Sequence, residues 1–447
     1  MNAGSANRWP KMTGRDEFRF LADLVFTRSS GDDTVVALHD VHSGTARFAN
    51  NQVVQNVDMR RGTLAVTVAF GRRHGTASTT DFTAGSIQDT LARAERIAQI
   101  SPEDPEYLPP PEPCLFVARE TARPETTAAG PARRLEYANE AIGHCRMENL
   151  LAAGVVSTSA ASVGIAANNG LFGYEARADA RFSLTVQAGD ATGWSAAAHR
   201  SVDHLKIQER TLAAIAKAKR GREPIELPAG PYPVIFEPAA VAGLWTWLMW
   251  SLDAKSYDKG TSPFAGRLGA QIVDDRLTLC NAPNHTDLFG VGLTSEGLPS
   301  MPSTWIDHGV LIQLAHDRFT AKTHGVQDVP TLDAPVLSVN GAACGNLQDL
   351  IKRTDYAILV TNFWYIRTVN PIDLTLTGMT RDGTFLVEKG EIVSAIRNFR
   401  FHDSPLRAFQ QIDAATGPME AVTAETGKML APAMVLPEFN FSSVTRF

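Results

Sequence analysis

Histidines and a cysteine are the first residues in this chain that could do chemistry. His308, His316 and His324 recur at intervals of eight residues, and a row of imidazoles invites a metal reading. Equal spacing puts side chains together only when one regular element carries them all, and this stretch reads as strand, turn and short helix. The spacing alone therefore makes no ligand set. His39 and His42 fall in what reads as a turn between strands, where positions three apart on extended backbone face opposite ways; both read as exposed. Cys344, in Asn340-Gly-Ala-Ala-Cys-Gly345, would need a histidine base in reach and a third orienting group to act as a nucleophile. Neither is placed by the sequence, so a small buried thiol is the better reading. Asp258-Lys-Gly-Thr-Ser262 resembles a phosphate loop only superficially, because the G-x-x-x-x-G-K-[ST] pattern is absent.

The elements that must position these groups centre on Leu244-Trp-Thr-Trp-Leu-Met-Trp-Ser-Leu-Asp-Ala254. This reads as a buried helix feeding the Gly/Ser-rich loop Asp258–Gly269. It contains no His, Glu or Cys. Trp245, Trp247 and Trp250 cover more than one helix face, which suits packing between domains or subunits, with roughly 150–250 Å² buried by each indole. Glu237, just before the helix, is placed to complement its dipole. Tyr365-Ile-Arg-Thr-Val-Asn-Pro371 is a polar, aromatic-flanked strand that could hydrogen-bond an extended peptide, with Tyr365 and Arg367 as groove candidates.

The chain is 447 residues long, 44% apolar and 20% charged, ordinary values for globular domains. A net charge of −6 argues against nucleic acid or an acidic membrane as the main partner. With no apolar run long enough to span a bilayer and no hydrophobic signal segment in Met1–Pro10, a cytoplasmic location is expected. Four scattered cysteines, Cys114, Cys145, Cys280 and Cys344, suggest neither a disulfide framework nor a zinc knuckle.

An α+β fold is expected, in three parts: an N-terminal strand-and-helix domain over residues 14–101, a related middle domain over 114–222, and a β-rich C-terminal domain over 228–447. Residues 1–15 are polar and read as frayed. Short runs at Thr34–Asp40, Thr45–Ala49, Val53–Val57 and Leu64–Phe70 read as an antiparallel meander. A helix capped by Ser86 follows, reaching Ile100. Pro102 to Pro113 is a proline-rich linker. Beyond it the pattern predicts a helix over Ala132–Met147, two long strands meeting at Asn168-Asn-Gly170, continuing strands at Thr185–Gln187 and Trp194–Ala198, and a helix over Val202–Lys219. Leu227–Pro233 reads as a second linker, Val234–Phe236 as a strand, and Pro238 as a helix start. Hairpin turns are expected at Arg381-Asp-Gly383 and at Lys389-Gly390.

Lys259-Gly-Thr-Ser-Pro-Phe-Ala-Gly-Arg-Leu-Gly-Ala-Gln271, Ser295-Glu-Gly-Leu-Pro299, Trp305–Leu311, His316–Lys322 and Gly378–Ile392, in this order and spacing, resemble the TldD/TldE (PmbA) family. Ala46–Val53 and Arg60–Leu64 are similar to its N-terminal domain. The resemblance implies a subunit of a peptidase that degrades or trims peptides, including leader peptides of modified peptide natural products. In the TldD type, a His-Glu-x-x-x-His helix and a C-terminal Cys hold zinc; the TldE type lacks these ligands and pairs with TldD. On this chain the two His positions and the Glu fall on Thr246, Ser251 and Trp247, and no cysteine follows Cys344. The resemblance thus implies a TldE-like chain: no catalytic or metal residues and no cofactor of its own, zinc in a TldD-like partner, and Trp245, Trp250, Lys259, Thr261, Ser262, Tyr365 and Arg367 as groove or interface candidates. Two other expectations stand beside it. One is a self-sufficient metal-dependent hydrolase with ligands among His308, His316, His324 and His402; the other is a peptide-binding homodimer without catalysis.

Overall fold

The computed structural model describes residues 12–116, 121–329, 332–423 and 427–445; the expectation for the N-terminus lies outside these residues as far as Lys11. The fold is α+β, with a β-rich C-terminal region.

The N-terminal sheet is built from β1 (Asp33–Ala49), β2 (Gln52–Phe70), β3 (Arg73–Thr79), β4 (Leu151–Ala167), β5 (Phe172–Ala188) and β6 (Ala191–His199). Their order is β3-β2-β1-β4-β5-β6, so strands from residues 14–101 and from 114–222 lie in one sheet, joined where β1 pairs antiparallel with β4. Even-numbered residues of β1 (Val36, Leu38, Ala46, Phe48) are buried. Helices α1 (Arg15–Phe26), α2 (Ala84–Ile100), α3 (Pro131–Met147) and α4 (Ile207–Arg220) pack on the strands. The Asn168–Gly170 turn joins β4 to β5 as expected. Thr185–Gln187 is the end of β5 rather than a strand of its own, and Val202–His204 forms a short 3₁₀ turn ahead of α4. The cap of α2 is Thr83, whose hydroxyl accepts from Ser86 N.

The expected meander of short strands is instead two long strands. The tight turn is Asn50-Asn51, both at positive φ. Polar residues along these strands and above them form two ion pairs, each with one fully buried member. Asp40 accepts from Thr13 N and Oγ1 and from Arg60, which together hold its carboxyl below the usual range despite burial. Arg134 of α3 is fully buried; its Nη2 donates to Asp58 Oδ2 at 2.6 Å and its Nη1 to Thr158 Oγ1 at 2.8 Å. Gly44 is the strand position that lets the guanidinium in, since a Cβ there would sit 2.2 Å from Arg134 Cζ. His39 and His42 accordingly lie within β1, not in a turn.

The C-terminal region holds two further sheets. One, in the order β12-β7-β19-β15-β13-β14, uses β7 (Gly230–Phe236), β12 (Tyr356–Asn370), β13 (Thr375–Glu388), β14 (Glu391–Ala395), β15 (Phe399–Asp403) and β19 (Met434–Val444), with β16 (Ala414–Ala415) against β19. The other, β10-β9-β8-β11-β18-β17, uses β8 (Leu277–Asn281), β9 (Ser303–Asp307), β10 (Val310–Leu311), β11 (Pro335–Val339), β17 (Met419–Thr423) and β18 (Gly427–Ala431). β7 begins within the expected second linker. Lys389-Gly390 makes the β13–β14 turn, whereas Asp382-Gly383 does not end a strand: β13 runs through it as a bulge. Helix α5 (Pro238–Trp250) packs on β12 of one sheet and on β17 and β18 of the other. Among the described residues no helix is long and apolar enough to cross a membrane.

Removing one partner of a buried ion pair leaves an uncompensated charge, which costs about 3–5 kcal/mol. Asp58→Ala should therefore lower unfolding stability by about 3 kcal/mol in urea titration. A loss no greater than that of an ordinary surface substitution would show that Arg134 does not depend on this carboxylate.

Candidate functional site

Helix α5 starts at Pro238 directly after β7, with the N1 proline lacking an N–H that would go unused there anyway. Its residues are apolar all round, and Leu244, Trp245 and Leu248 are fully buried. Trp245 packs on Phe409, with ring centroids 5.6 Å apart; Trp247 meets Trp250 edge to face at 5.3 Å. Trp250 is about half exposed, at 52%.

The three positions singled out by resemblance lie on this helix and its C-cap, and the two hydroxyls among them bond to the helix backbone. Thr246 is fully buried and its Oγ1 donates to Ala242 O at 2.8 Å. Ser251 Oγ donates to Trp247 O at 2.9 Å. Trp247 offers only an indole N–H, a donor that cannot ligate a cation. A divalent transition metal needs deprotonated N, S or O donors, and this side-chain set does not fit one.

The loop after the helix is tied back to it. Helix α6 (Ala254–Asp258) is capped by Asp253, which accepts from Ser256 N at 2.7 Å. Ser262 is buried; its Oγ donates to Ser251 O at 2.8 Å and accepts from Phe264 N at 3.2 Å. Lys259 and Thr261 are exposed beside it. Glu237 does not cap α5 through its side chain: it pairs with Lys217 at 2.7 Å and accepts from Thr361 Oγ1 at 3.0 Å.

Tyr365 and Arg367 lie on β12 beyond the segment Ile358–Val360 that pairs with β7. From there on, no second strand among the described residues lines that edge. The pairing with β13 slips between Trp364 and Arg367, and Tyr365 has a φ of 58°. The bulge leaves Trp364 and Tyr365 exposed, with Arg381 stacked on Trp364 at 4.2 Å and Arg367 on Tyr365 at 4.3 Å. Ile366 between them turns inward, buried against Gly243 of α5.

The histidines divide. His316 and His324 meet edge to face at 5.2 Å, and His324 Nε2 bonds Asp258 Oδ2 at 2.9 Å. Helix α7 (Arg318–His324) makes the contact by returning His324 over His316. His308 lies instead beside Asn340, at 3.3 Å, and His402 sits on β15. Among the described residues there is no group of three or more His, Cys, Asp or Glu able to hold a metal ion. Cys344 is buried in the apolar cluster around Leu350 and Ile351. Trp364 and Arg381, which stack on each other beside Tyr365 and Arg367, carry no corresponding signal in the sequence.

The chain matches the family model described as PmbA/TldA metallopeptidase C-terminal domain over residues 229–443, and that of PmbA/TldA metallopeptidase domain 1 over residues 35–98. It belongs to the TldD/TldE (PmbA) family. It is 23% identical over 206 residues to the metalloprotease TldD homolog of Buchnera aphidicola, spanning 42% of this chain and 41% of that protein's length. The fold is similar to that of TldE from Thermococcus kodakarensis (TM-score 0.85, 19% identity, 95% of this chain and 98% of the other). It is similar also to a Thermotoga maritima protein described as a candidate modulator of a DNA gyrase (TM-score 0.85, 17% identity, 95% and 99%).

Burial pushes the His316 imidazole below its ordinary pKa, and the neighbouring His324 adds to the shift. The unfolded chain thus takes up the proton first, and stability falls as pH drops below about 6.5. Thermal melting should drop between about pH 7.5 and about pH 5.5, less steeply in His316→Gln; part of the slope remains because His42 and His199 are lowered likewise. Identical slopes would place the titration elsewhere. Ser262→Ala should cost about 1–2 kcal/mol and speed proteolysis within residues 258–269.

Proposed function

We propose that this chain is a TldE-type subunit, free of bound metal, of a heterodimeric TldD/TldE metallopeptidase that degrades or trims peptides in the cytoplasm, leader peptides of modified peptide natural products among them. In this reading the chain closes the chamber and supplies groove wall, while a TldD-type partner holds the zinc and cuts. The observation that carries it is the content of α5. At the positions where the TldD type is expected to bring His, Glu and His, this chain brings Thr246, Trp247 and Ser251, with both hydroxyls committed to the helix backbone. The likeness in fold to a protein named TldE supports the same reading. The open edge of β12 supports a groove: an extended peptide added there would bind mainly through its backbone, which makes for loose selectivity. Tyr365 and Arg367 would flank it, with the bulge at Trp364–Arg367 setting where pairing starts.

Expressing the chain alone and together with a TldD-type subunit carrying His-Glu-x-x-x-His tests the proposal. Alone, it should carry no stoichiometric zinc and cleave no peptide; the pair should co-purify with about one zinc and cleave in a chelator-sensitive way. Stoichiometric zinc and cleavage by this chain alone would establish the self-sufficient hydrolase instead. Stable self-association with no affinity for the TldD-type subunit would establish the peptide-binding homodimer. In an active pair, Tyr365→Ala should raise KM about tenfold at unchanged kcat, the signature of lost uniform binding.

A further inference from the structure

The bulge on β12 assembles a stack of four side chains beside the open strand edge. Trp364 and Tyr365 have ring centroids 5.4 Å apart. Arg381 lies over the first ring at 4.2 Å and Arg367 over the second at 4.3 Å. Two like charges are thereby held against an aromatic pair whose rings are each about half exposed. The ring faces attract the guanidinium groups and fix them before any ligand arrives. Stacking engages the flat face of a guanidinium and leaves its N–H donors pointing outward in the plane. Among the described residues, Arg367 spends one donor, Nη1, on Ile366 O at 2.6 Å.

Strand pairing sets these cations on one face of the sheet. Arg381 stands opposite Asn362, Met379 opposite Trp364 and Thr377 opposite Arg367, and directly paired residues share a face. Met379 pairs in turn with Arg400 of β15, which adds a third, exposed cation to that face. No acid among the described residues forms a hydrogen-bonded ion pair with any of the three. Arg381 Nε is 3.7 Å from Asp382 Oδ2, beyond hydrogen-bond length, and burial holds that carboxyl above the ordinary carboxylate range. Asp403, three residues along β15 from Arg400, belongs to the opposite face and is bonded to Arg407. Asp373, on the turn, is taken up by Thr375. In a chain with 48 acids against 42 Lys and Arg, this face reverses the overall sign.

We propose that the ligand added at the β12 edge is an acidic extended peptide, with glutamate or aspartate side chains at the positions facing Arg367 and Arg381. A strand added there would stand about 4.8 Å from β12, with its side chains on this face beside Trp364 and Arg367. Side chains alternate along a strand, so the acids belong at every second residue. Each carboxylate accepts N–H donors from a guanidinium edge, in the two-pronged geometry that arginine presents. The peptide groove proposed above is the premise; the carboxylates supply the selectivity that backbone pairing lacks.

Fluorescence anisotropy on the full chain at low salt tests this with labelled octapeptides of alternating Thr-Glu, Thr-Gln and Thr-Lys. The glutamate peptide should bind about tenfold tighter than the glutamine peptide, and the lysine peptide weakest of all. Added salt should narrow the gap. Arg367→Gln, at an exposed position, should weaken the glutamate peptide about fivefold and the glutamine peptide by less than about twofold. Equal affinity of the glutamate and glutamine peptides, or an equal loss of both in Arg367→Gln, would overturn the acidic preference and leave the groove in place. Failure of all the peptides to bind would overturn the groove and the preference together. Two further results would also overturn the proposal. An octathymidylate that binds more tightly than the glutamate peptide, and loses affinity in Arg367→Gln, would assign the cations to phosphate. Loss of the TldD-type partner in Arg367→Gln, with the affinity of the glutamate peptide unchanged, would assign them to the subunit interface.

Discussion

A single apolar helix held between two sheets is the constraint on which the C-terminal region depends. Helix α5 touches β12 on one side and β17 and β18 on the other, so it has no wet face in its middle turns. Its core positions are filled by Leu244, Trp245 and Leu248, and a polar side chain there must find its partner within the helix or leave a costly orphan. Thr246 and Ser251 do so by bonding back to carbonyls four residues earlier. What makes this helix a good wedge is therefore also what makes it unsuited to hold a cation. The indole N–H groups of Trp245 and Trp247, which find no partner among the described residues, show how far packing has been favoured over polar satisfaction.

The loop that follows inherits its position from the helix. Ser262 reaches back to the last turn of α5, and Asp258 is engaged by His324 from α7, so residues 258–269 are pinned at two points while Lys259 and Thr261 stay in solvent. Farther along, Lys255 links this corner to the proline-rich segment through Glu106, at 2.8 Å, and to Asp317, at 3.0 Å. A stretch with no helix or strand of its own is thereby fastened to the C-terminal region.

The N-terminal sheet solves a different problem. Strands of 17 and 19 residues are long for a sheet of this kind, and their central polar stretch would be a weak point if it faced water on both sides. Instead Asp40 pairs with Arg60, and Asp58 pairs with Arg134 of α3, for which glycine at position 44 makes the room. The glycine at 44 and the polar run from Asp58 to Thr63 read as breaks in the sequence because local composition does not distinguish a turn from strand residues that face an ion pair.

Local signals were read correctly where the outcome is decided within a few residues. The Asn168–Gly170 turn, the proline at the head of α5, the Lys389-Gly390 turn and the proline-rich break all follow from backbone preferences that neighbouring residues settle among themselves. The absence of imidazole from α5 is likewise a fact of covalent chemistry that no folding can alter. Tertiary structure alone decided that Asp382-Gly383 is a bulge and not a turn, that His316 and His324 meet while His308 and His402 stay apart, and that the two N-terminal units share a sheet. These outcomes depend on which distant strand supplies the hydrogen bonds and which distant group fills the space, and neither is encoded in the spacing of residues along the chain.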